Sequence, residues 1–321
     1  MMAVKTPSAG DVFADLGERI ESNAPLARYS WFRTGGPADY LFRPKAAGDL
    51  DAFIACCPQD MPITILGVGS NLLIRDGGVA GVVLRLGKAF AGIEVTDELI
   101  VAGAAAPDIA IATKALEAGL TGLEFLRGIP GSIGGALAMN AGCYGQEIAD
   151  CLVEAEVVDL RSGEHYTLGP DAFEFAYRQA NLQPDHLITR ASLRGRRADP
   201  NEIAARMREI GDEREASQPL RTRTGGSTFK NPDPQTSNGR KAWQLIDAAG
   251  MRGARVGNAQ VSEKHCNFLL NLGDATARDL EKLGEDVRAR VLQQTGVVLE
   301  WEIRRIGRDA DIPPVGGGAD G

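Results

Sequence analysis

Three glycine-rich segments carry the first readable chemistry in this chain. Leu66-Gly67-Val68-Gly69-Ser70-Asn71 follows the short apolar run at residues 63–66. Glycine lets the backbone approach an anion closely, and Ser70 and Asn71 add neutral donors, so a pyrophosphate suits this loop. The spacing is neither GxGxxG nor GxxxxGK[ST], so it implies neither a Rossmann nor a P-loop site, and taken alone the segment also reads as a plain turn. A second block, Gly128-Ile129-Pro130-Gly131-Ser132-Ile133-Gly134-Gly135-Ala136, is poor material for helix or strand. Close approach of backbone to a flat ligand is the better use for it, and Asn140-Ala141-Gly142 continues the pattern. The third, Ser30-Trp31-Phe32-Arg33-Thr34-Gly35-Gly36-Pro37-Ala38, reads either as an exposed turn or as a polar wall with a cation for phosphate.

Composition narrows the partners. Lys plus Arg is 35 against 43 Asp plus Glu, a net charge of −8, so no domain-wide basic surplus exists to neutralise a nucleic acid. Cys56, Cys57, Cys143, Cys151 and Cys266 form no CxxC pair, and the three histidines are scattered, so no metal is expected. An odd number of cysteines fits a reducing compartment. No run approaches about 18 apolar residues, and the N-terminus lacks the apolar core of a signal peptide, so the expectation is a cytoplasmic protein without a membrane partner. A monomer is expected.

Around these loops, short strands alternate with helices. Residues 63–66 and 82–84 read as buried strands, and 154–160 as a strand ending in the turn Arg161-Ser162-Gly163. Residues 107–118 read as a helix with proline in its first turn. Ile203, Met207 and Ile210 mark an amphipathic helix after residue 200. Leu280, Leu283, Val287 and Val291 mark another, starting near Asp274 and stopped by Gly296, with a strand at 297–303 behind it. In that strand, alternation puts Glu300 and Glu302 on one face and Leu299, Trp301 and Ile303 on the other. The expected division is a leader or short helix at 1–18, a glycine-rich front to residue 199, a smaller α+β domain at 200–307, and a disordered tail at 308–321.

Taken in order, Arg33-Thr34-Gly35-Gly36, Gly67-Val68-Gly69-Ser70-Asn71, Ile129-Pro130-Gly131-Ser132-Ile133-Gly134-Gly135 and Gly226-Ser227-Thr228-Phe229-Lys230-Asn231-Pro232 resemble the UDP-N-acetylenolpyruvoylglucosamine reductase family. The resemblance runs from about residue 23 to 307. It implies an α+β fold: a FAD-binding domain of the vanillyl-alcohol-oxidase (PCMH) type in two parts, 19–85 and 86–199, followed by a substrate domain. It also implies non-covalent FAD, NADPH as reductant, and an enolpyruvyl UDP-amino sugar as substrate. Arg33, Thr34, Gly35, Gly36, Gly67, Val68, Gly69, Ser70, Asn71, Leu72, Gly131, Ser132, Ile133, Gly134, Gly135, Asn140, Ala141 and Gly142 are the implied cofactor contacts.

The same resemblance implies three reacting residues. Arg178, in Phe175-Ala176-Tyr177-Arg178, takes the substrate carboxylate through a two-pronged guanidinium contact; by itself it reads as a surface arginine on a strand. Ser227 is the implied proton donor, with Arg221, Arg223 and Lys230 near it in sequence; by itself it reads as a turn serine. Alternation does not choose between Glu300 and Glu302, and the family pattern selects Glu302. Tyr177, Lys230, Asn231, Gln260 and Asn267 are implied substrate contacts. Two positions depart from the pattern: Ala180 replaces the serine after Tyr-Arg-x, and Trp301 stands where many members have proline. The short stretch between Arg178 and Ser227 points to the form without an extra substrate-covering insertion. Two rival readings remain at this stage: a FAD-dependent alcohol or sugar oxidase of the same superfamily, and a non-catalytic nucleotide-sugar-binding protein. The absence of a histidine in the glycine loops speaks against a tethered flavin.

Overall fold

The computed structural model describes residues 12–310. They form two compact units interleaved along the chain. The first holds the residues up to Ala24, Ala38–Gly67 and Gly81–Arg208; the second holds Pro25–Pro37, Val68–Ala80 and the residues from Glu209. Most of the leader, residues 1–11, and most of the expected tail, residues 311–321, lie outside the described residues. Within the described part, Phe13 and Leu16 are buried beside a 3₁₀ turn at Ala14–Arg19. Arg308 exchanges backbone hydrogen bonds with Gly77 and Gly78.

The first unit carries two larger sheets beside two short two-stranded pairings. One runs in the order Ile20–Pro25, Pro37–Phe42, Val79–Leu84, Ile63–Ile65, and its last pair is parallel, Ile63 opposite Val82. The other is antiparallel, in the order His165–Leu168, Leu152–Asp159, His186–Arg194, Leu99–Gly103, Ile93–Thr96. Along Leu152–Asp159 the pleat buries Ala155 and Val157 while Glu154 and Glu156 face water, the period-2 pattern that one covered face requires. The helix Asp108–Glu117 turns Ile111, Ala112 and Ala115 into a core shared with Ile100, Phe125, Leu137 and Ile188. Ile203 and Met207, from the start of the helix Pro200–Ser217, join that core.

The second unit is a four-stranded antiparallel sheet in the order Arg223–Ser227, Phe268–Asn271, Ala259–Val261, Arg255–Val256. The helix Ala277–Thr295 packs Leu280, Leu283, Val287 and Val291 into the core of this unit with Val261 and Leu269. It starts at Thr276 rather than near Asp274, because Thr276 and Asp279 exchange side-chain-to-backbone bonds of 3.0 Å each in a capping box. Gly296, at φ 72°, ends it in the left-handed conformation.

One expected strand is different. Residues 297–303 form no continuous strand; the segment makes a single bridge, Phe229 to Trp301, and the strand proper is Arg304–Ile306, parallel to Leu72–Ile74. The chain changes partner there. Glu302 N–H donates to the Thr228 carbonyl at 2.8 Å, and Arg304 N–H already donates to Asn71 at 3.1 Å. The expected alternation holds at Leu299, Glu300 and Ile303, which are buried, exposed and buried, while Trp301 and Glu302 are both half-buried.

Candidate active site

In the second unit, Ser227 owes its orientation to a bulge. Strand pairing places Thr224 opposite Leu270 and Ser227 opposite Phe268, so Gly225 and Gly226 together face Leu269 alone. An insertion of this kind bends a strand and re-aims the side chain that follows it. Both glycines are needed: Gly226 sits at φ 80°, and a Cβ on Gly225 would come 2.4 Å from the Phe32 ring. Behind the serine, Thr228 is fully buried, and its carbonyl takes the Glu302 N–H. Asn71 Nδ2 donates to the Glu302 carbonyl at 3.1 Å. Ser227 and Glu302 therefore come from neighbouring segments joined by backbone hydrogen bonds, and Asn71, expected as a cofactor contact, holds the second segment.

The two carboxylates differ. Glu300 is exposed and lies 3.9 Å from Lys230 Nζ, whereas Glu302 is half-buried. Trp301 between them packs against Phe229 at 5.2 Å, donates from Nε1 to Glu285 at 2.8 Å, and carries the Arg305 guanidinium 4.5 Å over its ring. Proline has no indole to make these contacts.

Of the implied substrate contacts in this unit, Lys230 and Asn231 reach the surface, although Asn231 Oδ1 also accepts from Ala242 N–H at the start of the helix Ala242–Ala248. Asn267 and Gln260 both have partners within the fold. Asn267 is buried and pairs both ways with the Phe229 backbone, at 3.0 and 2.8 Å. With its amide turned so that donors meet acceptors, the buried Gln260 accepts from Arg255 Nε and Nη2 at 3.2 Å each. Nothing in the spacing separates a buried amide that clamps backbone from one that meets a ligand. Burial pushes the Cys266 thiol up to about 11, so it is no nucleophile at neutral pH.

In the first unit, Arg178 is not on a strand. Ala176 and Gln179 exchange two backbone bonds of 3.0 Å, leaving Tyr177 and Arg178 at the tip of a two-residue turn. Arg178 takes φ 57°, and its Nη2 donates to the Gly142 carbonyl at 2.6 Å. Tyr177 is half-exposed beneath the guanidinium.

The second glycine block, which composition marked as poor helix, contains the short helix Ile133–Ala138. Several of its glycines answer to packing. A Cβ on Gly131 would meet the Asp108 carboxyl at 2.6 Å, and one on Gly134 would meet Ala104 at 2.9 Å. Gly67 and Gly135 are different: both are exposed, and the nearest atom to a Cβ on either would be Ser132 Oγ, at 3.6 and 3.9 Å. The two glycines thus leave open, side-chain-free space beside the Ser132 hydroxyl. Asp108 is fully buried, with neither carboxyl oxygen bonded, and burial pushes its carboxyl well above the usual carboxylate range. An acid in a helix's first turn is ordinary, so nothing in the residue pattern singles it out.

The third segment, Arg33-Thr34-Gly35-Gly36, belongs to the second unit. Arg33 is exposed at φ 59°, and Ser30 and Thr34 bury hydroxyls that have no partner in the protein. Gly69 is glycine because the Tyr29 carbonyl lies 2.0 Å from where its Cβ would be.

Comparison with known proteins now decides the family. Residues 38–169 match a FAD binding domain, and residues 218–306 match the C-terminal domain of UDP-N-acetylenolpyruvoylglucosamine reductase. The reductase of Parvibaculum lavamentivorans is 55% identical over 96% of this chain and 97% of its own length. That of Rhodospirillum rubrum is 54% identical over 97% and 98%. The chain belongs to the UDP-N-acetylenolpyruvoylglucosamine reductase family. The solved reductase of Thermus caldophilus superposes with a TM-score of 0.78 at 35% identity, covering 90% of this chain and 99% of that one. The expected α+β fold with its FAD-binding domain holds, and the chain is a FAD-dependent oxidoreductase. The residues present fit that cofactor, because Gly67 and Gly135 leave beside the Ser132 hydroxyl the open, side-chain-free space that a flat, phosphate-bearing group needs, inside the matched domain. No helix among the described residues is long and apolar enough to cross a membrane, and no cluster of potential metal ligands occurs among them.

Proposed function

We propose that this reductase converts UDP-N-acetylglucosamine enolpyruvate to UDP-N-acetylmuramate, with NADPH as reductant, during peptidoglycan precursor synthesis in the cytoplasm. Bound FAD supplies the hydride carrier between NADPH and the alkene. Gly67, Ser132 and Gly135 would hold it, without a covalent tether. The protein's own work is to grip the substrate, balance the charge that builds toward its carboxylate, and deliver one proton.

Arg178 takes the carboxylate, since a guanidinium stays charged and offers two parallel donors. Ser227 gives its proton to the carbon adjoining the one that receives hydride. Glu302 holds or releases a proton at the carboxylate end; its half-buried place beside the Ser227 segment favours it over the exposed Glu300. Lys230 and Asn231 meet the UDP-sugar, and Tyr177 flanks Arg178. Five free thiols, none bridged, suit a reducing cytoplasm.

Family membership over nearly the whole chain carries this reading, together with the hydrogen-bonded pairing of the Ser227 and Glu302 segments. The test is NADPH oxidation by the purified yellow protein with and without the enolpyruvyl substrate, followed by acid release of the flavin. Substrate-dependent oxidation and free FAD are expected. FMN in the supernatant, or NADPH consumption indifferent to the substrate, would overturn the proposal.

A further inference from the structure

Asn140 matched the family's cofactor segment, yet its surroundings give it other work. It is fully buried. Its backbone stands at φ 45°, just past the end of the helix Ile133–Ala138, a left-handed position that asparagine tolerates better than most residues. Its amide is used at both ends: Oδ1 accepts from Ala149 N–H at 3.1 Å, and Nδ2 donates to the Ala176 carbonyl at 3.1 Å. That carbonyl is the one that closes the Tyr177–Arg178 turn. Two residues after Asn140, the Gly142 carbonyl accepts the Arg178 guanidinium. One short segment thus holds the turn at both ends, at its backbone through Asn140 and at its charged tip through Gly142.

The turn needs holding. A tight turn with only its third residue at positive φ favours glycine there. Arginine is strained in the left-handed region, and such a conformation persists only where its surroundings over-determine it. Without the Asn140 donor, the turn loses one of the contacts that hold it in that conformation.

We propose that Asn140 is a positioning residue for Arg178, setting the geometry in which the guanidinium meets the substrate carboxylate, and is not a FAD contact. The inference rests on the reading of Arg178 given above. Asn140→Asp is nearly isosteric. It keeps the acceptor for Ala149 and turns the donor into an oxygen facing the Ala176 carbonyl.

The holoenzyme should keep its FAD stoichiometry, and NADPH should reduce the flavin within about twofold of the parent rate. The kcat/KM for the enolpyruvyl substrate should fall about tenfold or more, the size of one misplaced charge-assisted hydrogen bond. The deciding measurement is a double-mutant cycle: in an Arg178→Ala background, Asn140→Asp should cost less than about twofold further, because residues acting as a unit are not additive. An equal cost with and without Arg178 would overturn the proposal, and so would lost FAD. If Asn140→Asp does not fold, Asn140→Gly preserves the left-handed backbone while deleting both side-chain bonds, and the same cycle applies. Unchanged kcat/KM in Arg178→Ala alone would instead refute the reading of Arg178 and leave Asn140 without a role through it.

Discussion

The turn that carries Arg178 and the segments that carry Ser227 and Glu302 are held by different means. Arg178 stands at φ 57° on a two-residue turn fixed by the Asn140 amide and the Gly142 carbonyl. Ser227 and Glu302 are held through backbone pairing over buried Phe229, Leu299 and Ile303, with Asn267 clamping Phe229 from behind. The first arrangement is fixed by a few polar contacts that add little to global stability, so a single substitution there should move function and spare the fold. The second is part of a core, so damage to its support should appear as lost stability and lost activity together.

The largest expected effect tests whether Ser227 does chemistry at all. Ser227→Ala removes a hydroxyl from a half-buried position without disturbing the bulge that aims it, so the fold should survive. Completion of substrate reduction should slow by about 10²-fold or more, the range of a lost general acid. Flavin reduction by NADPH, followed by stopped-flow absorbance, should stay within about threefold, since this step requires no proton at the substrate carbon. Equal slowing of both steps would reduce Ser227 to a pocket-shaping residue. Beside it, Glu302→Gln should lower kcat about tenfold or more while Glu300→Gln changes it less than about twofold, because Glu300 is exposed to solvent next to Lys230. The reverse order would move the assignment to Glu300.

A middle-sized effect is expected at Gly284, in the helix behind Trp301. Alanine in a helix interior ordinarily gains about 1 kcal/mol over glycine. Here the new Cβ would lie 2.2 Å from the indole Cη2, a collision with a ring already fixed by Glu285 and Arg305. Overpacking of this kind costs about 1–3 kcal/mol, so the collision should outweigh the propensity gain. Gly284→Ala should therefore lower both melting temperature and kcat/KM. Unchanged stability with lost activity would mean that the Glu302 segment yields as easily as the Arg178 turn, and the contrast between the regions would fail.

Much of this was legible in the chain itself. The period of Leu280, Leu283, Val287 and Val291 located the long helix, because burial against a sheet leaves a 3.6-residue imprint. The ordered glycine motifs located the family. What stayed hidden was the reason for individual glycines: Gly131 serves Asp108 and Gly69 serves the Tyr29 carbonyl, while Gly67 and Gly135 leave open space. A missing side chain looks the same in sequence whether protein or ligand fills its place. The roles of Asn140, Asn267 and Gln260 were hidden likewise, since an amide's partners are set by the tertiary fold. The break at residues 297–303 escaped because alternating burial needs only a pleated segment, whichever strand pairs with it.

The smallest expected effect lies at the edge of the second unit, and pH separates it from the core. Arg75 donates to both Glu281 oxygens, at 3.0 and 2.8 Å, and Arg305 adds a bond of 3.0 Å. The Arg75 hydrogen bond is the main reason the Glu281 carboxyl is held below the usual range. A depressed folded pKa contributes stability above the unfolded value of about 4.3, and that contribution fades as pH falls through the lower, folded value. Arg75→Ala should thus lower stability by about 1 kcal/mol or less at pH 7, because partly exposed ion pairs are worth little. The gap to the parent should narrow as pH falls through the depressed folded value, below which both proteins carry a protonated Glu281. Melting curves of the two proteins between neutral and acid pH measure this directly. A gap that persists undiminished at low pH would mean that Arg75 acts through its packing, and that the periphery of this unit is held by the same kind of contact as its core.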